Sequence, residues 1–172
     1  MNLRELLLDE FAEETQTTRK VLSEVPEKIL DYKPHEKSMP LAQLAGHIAS
    51  LPAQAVRVIE LDGYEVDMSK IKRFIPSTRA ELLETFEQNT ADARAALEKM
   101  TDEDLWKTWT FKISGQVIFA LPKVKVLRKQ VLSHITHHRA QLGVYLRLLE
   151  LKVPGSYGPS ADEMNMFAGL KK

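Results

Sequence analysis

Three of the five histidines in this 172-residue chain fall in one stretch, His134-Ile135-Thr136-His137-His138, and no cysteine accompanies them. Any transition metal bound here must therefore use imidazole and carboxylate ligands. On a helix advancing about 100° per residue, His138 lies about 40° round from His134, inside an apolar stripe formed by Leu127, Val131, Leu142, Tyr145 and Leu149. His134 sits on the shoulder of that stripe, and His137 points away from it. An i, i+4 pair on an inward face can bring two imidazole nitrogens to one ion, as in the helices of zinc peptidases. His47, at the edge of a second apolar stripe, is the candidate third ligand, with the small residues Ala45 and Gly46 leaving room beside it. His35, between Pro34 and Glu36, reads as a solvent-facing loop residue. Spacing alone leaves two readings of His47, His134 and His138 open: metal ligands, or half-buried rings hydrogen-bonded to backbone or carboxylate.

Positioning these residues requires helices. Leu3, Leu6, Leu7, Phe11, Thr18, Leu22 and Val25 predict a first amphipathic helix over 3–25. Ser38 followed by Met39-Pro40 predicts the cap and first turn of a second, reaching Leu61, with Pro52 expected to kink or break it. Thr78-Arg79-Ala80-Glu81 is a capping box opening a third helix to about Met100. Alternation of Trp109, Phe111 and Ile113 before Gly115, then Val117, Phe119 and Leu121, predicts extended chain or a short hairpin. A fourth helix follows from about Pro122 to Glu150, and Ser160-Ala161-Asp162-Glu163 is a further capping box for a short terminal helix through Phe167. The expected architecture is all-α: a single four-helix-bundle domain spanning 1–172, with a short extended or hairpin segment between helices three and four.

Composition narrows the function. A chain of this size needs no disulfide or metal staple to fold, and the missing cysteines exclude a thiol nucleophile, a CxxC redox pair and cysteine-containing zinc fingers. Balanced charge, 24 basic against 24 acidic residues, argues against a surface built for nucleic acid or anionic lipid. Lys123, Lys125, Arg128 and Lys129 form a basic cluster that reads as a solvated helix face. The absence of any long apolar run, and an N-terminus that turns acidic early, predict a soluble cytoplasmic protein without a membrane partner.

Leu44-Ala45-Gly46-His47-Ile48, then His134-Ile135-Thr136-His137-His138-Arg139-Ala140-Gln141-Leu142, then Leu146-Arg147 and Val153-Pro154 together resemble the DinB-like superfamily, which includes the YfiT-type proteins. The resemblance covers essentially the whole chain. It implies a four-helix bundle holding a divalent ion on three histidines, matched here by His47, His134 and His138. It places His137 in a supporting or structural role, and it leaves Arg139 and Gln141 between helix contacts and chemistry.

Three neutral imidazoles leave such an ion its full charge and an open position, the pattern of a catalytic centre, where the pKa of a bound water or thiol falls. Zinc or nickel suits the ligands best, with iron or manganese also able to bind. The resemblance implies a metal-dependent enzyme that activates a low-molecular-weight thiol for transfer to an electrophile. Its alternatives are a metal-dependent hydrolase and a non-catalytic metal-binding stress-response dimer. The expected partners are a small-molecule substrate and a second copy of the chain, with no nucleic acid.

Overall fold

The computed structural model describes residues 1–28 and 30–164. Helix α1 (Leu3–Leu22) opens on a capping box in which Asn2 and Glu5 each accept the other's backbone N–H. The Asp102 carboxylate accepts the N–H groups of Leu3 and Arg4. The helix ends before the expected Val25, because the N–H groups of Glu24 and Val25 turn back to carbonyls three residues away.

Helix α2 (Leu41–Glu60) begins later than Ser38 suggests. Pro40 stands at its cap position and offers no side-chain acceptor, and the first N–H groups, those of Leu41 and Ala42, donate instead to the carbonyls of Tyr32 and Leu30 in the preceding loop. Nor does Pro52 break the helix. It lies buried between Leu51 and Ala55 within one uninterrupted span, so packing on both sides offsets the lost hydrogen bond.

Helix α3 (Arg79–Glu98) starts at Thr78, whose hydroxyl accepts the Glu81 N–H, but the Glu81 carboxylate accepts from Ser77 and not from Thr78. The short α4 (Asp102–Trp106) leads into a small sheet, the main departure from an all-α bundle. Strand β1 (Gly63–Val66) follows α2, β2 (Thr108–Ile113) follows α4, and β3 (Gln116–Pro122) follows β2; the order is β1-β2-β3, with β1 parallel and β3 antiparallel to the central strand. Ser114 and Gly115, both at positive φ, form the two-residue turn of the expected hairpin. The parallel strand β1 has no counterpart in the sequence reading.

The last long helical rod comprises α5 (Lys123–Val126), a π-helical stretch (Leu127–Leu132) and α6 (Ser133–Leu148). In the π stretch the Ser133 N–H reaches back five residues to the Arg128 carbonyl. Such turns interrupt a helix at little cost only where tertiary contacts hold them, and they recur at functional sites. Lys123 corrects the reading of the basic cluster: it is buried at 5% exposure and donates to the Ile59 carbonyl, while Lys125, Arg128 and Lys129 are exposed.

The four long helical segments enclose two apolar clusters. One, around Leu51, Leu97 and Ile135, lies toward the sheet; the other, around Leu44, Phe86 and Leu142, lies toward the opposite end. Ser160 and Glu163 form half of the second capping box, since Ser160 N–H donates to the Glu163 carboxylate. The remainder of the expected terminal helix, toward Phe167, lies outside the described residues. Among the described residues, no helix is long and apolar enough to cross a membrane.

Candidate metal centre

Helices α2 and α6 pack against each other and bring together residues far apart in sequence. His47 Nε2 lies 3.3 Å from His134 Nε2, which lies 3.0 Å from His138 Nε2. Among the described residues this is the one cluster of three ligating groups, with every ligand atom within 4.8 Å of the others. His47 and His134 are half-buried and His138 is buried. His137 is exposed, its ring set edge-on against that of His138, and His35 is exposed in its loop, where it accepts the Lys37 N–H.

The hydrogen bonds behind the rings fix which nitrogens face inward. The Nδ1 of His134 lies 3.3 Å from the Gln130 carbonyl, which can only accept, so this nitrogen carries the proton. The Nδ1 of His138 donates in the same way to the Gln141 side-chain oxygen at 2.7 Å. Both inward Nε2 atoms of these neutral rings are therefore lone pairs, facing each other and His47 across a gap that a cation would bridge. Carbonyl and amide acceptors behind imidazole ligands are the usual means of orienting a metal-binding histidine.

Electrostatics keeps the rings neutral. Burial, then the neighbouring His138 and His134, then Arg73 push the pKa of His47 from 6.5 down to about 4. Burial also lowers His134 and His138, against the raising effect of the acceptor behind each ring. At neutral pH three uncharged imidazoles converge, those of His134 and His138 with their Nε2 lone pairs inward, and among the described residues no carboxylate joins the cluster, so a divalent ion held there would keep its full charge.

Of the three rings, that of His47 also lines a cavity. A cavity of about 710 Å³ has one wall made by Gln43, His47, Ser50, Gln54 and Arg57, whose steps of four and three form one face of the helix. The facing wall is β1 and the segment that follows it to Phe74. A second cavity of about 720 Å³, between α2, α3 and Lys123, contains no histidine. The sequence reading did not single out Gln130 or the cavity residues Arg57, Lys72 and Arg73; Gln141, three residues beyond a ligand, was visible without its role.

A three-histidine cluster compatible with a divalent ion is thus set across two helices of a predominantly helical fold, beside a cavity. The chain belongs to the DinB family, whose pattern matches residues 1–169. Its fold is similar to that of a DinB-like protein from Bacillus cereus ATCC 10987, with a TM-score of 0.69 at 23% identity over 89% of this chain and 97% of that one. A comparison with curated proteins finds no match.

Proposed function

We propose that this protein is a metal-dependent enzyme that activates a low-molecular-weight thiol for transfer to an electrophilic small molecule. The observation that carries the proposal is the position of His47: its ring completes the three-nitrogen cluster and also forms part of the wall of the 710 Å³ cavity. A site sealed among core side chains would favour a structural role, whereas this one adjoins space for a substrate. A divalent ion, with zinc or nickel best suited to the nitrogens, would supply Lewis acidity that favours the ionised form of a thiol or water beside it.

The chain's own residues do the positioning. His134 and His138, oriented by Gln130 and Gln141, present their Nε2 atoms, and His47 closes the set from α2. The chain has no cysteine, so the thiol must arrive as a substrate. Activation of water for hydrolysis would use the same atoms; the family resemblance favours the thiol.

The decisive experiment measures conjugation of monochlorobimane with bacillithiol, mycothiol, glutathione or coenzyme A by the zinc- or nickel-loaded protein. A rate above background that disappears in His47→Ala is expected. Background rates with all four thiols would overturn the proposal.

A further inference from the structure

The cavity beside His47 carries an unbalanced charge. Arg57, Lys70, Lys72 and Arg73 line it, opposed among the described residues by Glu65 and Asp67. Both carboxylates are engaged: Asp67 pairs with Lys70 at 3.0 Å and accepts from Ser69, and Glu65 accepts the Gly115 N–H at 2.7 Å. Arg57 lies over the Tyr64 ring at 4.1 Å, and among the described residues neither Lys72 nor Arg73 has a carboxylate partner. Three cations thus face a space that would also feel the charge of a divalent ion, and a concave wall of one sign concentrates ligands of the other.

The cationic wall is held in place by backbone packing. The segment after β1 crosses α2 at Gly46, where an added Cβ would stand 2.3 Å from the Phe74 carbonyl and 2.8 Å from Pro76. Only a residue without a side chain permits that approach. Because Gly46 precedes His47 and Phe74 follows Arg73, the same contact sets the backbone beside a metal-ligand candidate against the backbone that carries Arg73, and both residues line one cavity.

From this we infer that the substrate entering beside His47 carries a carboxylate or phosphate group, and that Arg73, aided by Lys72 and Arg57, receives it while the reacting end lies toward the histidines. The inference rests on the metal-centre reading and narrows it from any small thiol to an anionic one. Arg73 acts as a specificity-determining residue.

The test is calorimetric binding to the zinc-loaded protein at low salt, comparing 3-mercaptopropionate with the neutral 2-mercaptoethanol. The anionic thiol is expected to bind about tenfold more tightly. In Arg73→Gln the difference should shrink at least about threefold with zinc content unchanged, and added salt should shrink it in the unsubstituted protein. Lys99→Gln, in the other cavity, serves as the charge-matched control and should leave the preference unaltered. Equal affinities, or a preference untouched in both Arg73→Gln and Arg73→Gln/Lys72→Gln, would overturn the inference while leaving thiol binding intact. If neither thiol binds, the thiol-transfer reading fails, and succinate against neutral succinamide decides the anion site alone: a succinate preference lost in Arg73→Gln supports it, and no preference overturns it.

Discussion

Gln141 Oε1 accepts the Nδ1 proton of His138 at 2.7 Å, three residues away on the same helix. That bond holds the ring with its Nε2 toward His134 and His47, so the geometry of the cluster depends on a residue that touches no ion. Gln141→Leu should retain the fold and lower zinc affinity about 10- to 100-fold, whereas Gln141→Glu should retain tight binding. Competition with a chromogenic chelator measures both.

The three inward rings and the outward one make opposite predictions. His47→Ala, His134→Ala and His138→Ala should each lose stoichiometric metal by elemental analysis with helicity intact; His137→Ala should keep it. Full metal content in the first three would end the assignment.

Acid should weaken the metal-free fold in a defined window. His47 ionises near 6.5 when unfolded and at about 4 when folded, so between those values the unfolded chain binds the extra proton. Stability from this group is complete above about pH 6.5 and is lost as pH falls through about 4. Because the ring is half-exposed, the contribution is of order 1 kcal/mol. Urea unfolding at pH 7 and pH 4.5 should show the loss, and His47→Leu should reduce it.

Gly46→Ala would force the 74–76 segment off α2, given the 2.3 Å approach to the Phe74 carbonyl. A loss of about 1–3 kcal/mol is expected in thermal unfolding. Faster tryptic cleavage at Lys70, Lys72 and Arg73 should accompany it.

Arg139 corrects an ambiguity in the sequence. It is 2% exposed and pairs with Glu14 at 2.7 Å across α1 and α6, and Thr18 accepts from the same nitrogen. Tyr157 donates to the other Glu14 oxygen at 2.6 Å. Arg139 therefore fastens α1 to α6 away from the cluster. Glu14→Gln should cost about 3 kcal/mol by leaving a buried cation unpaired, a fall of roughly 6–12 °C in Tm. Metal content at low temperature should not change.

Local pattern carried most of what the sequence revealed. The His134/His138 pair and the direction of His137 follow from helical period within one turn and a half. The hairpin was legible because Gly115 interrupts a period of two. What escaped depends on contacts from elsewhere in the chain. The loop carbonyls of Leu30 and Tyr32 replace the expected Ser38 cap, the four-residue strand β1 exists only by pairing with β2, and Lys123 is buried by finding the Ile59 carbonyl. The π turn before His134 has no spacing signature, although it lies one residue before α6 begins. The cationic cavity was illegible for the same reason, since its walls come from α2 and from a segment whose position β1 sets.

The parallel pairing of β1 with β2 also orders the assembly of the protein in time. Parallel neighbours cannot meet through a tight turn, and here the whole of α3 and α4 must be traversed before Gly63 can find Thr110. Closing so long a connection is entropically slow unless the intervening helices have already docked. The contact of His47 with His134 spans 87 residues, a longer connection than the one from Gly63 to Thr110, so the three imidazoles come together only once most of the chain has folded back on itself.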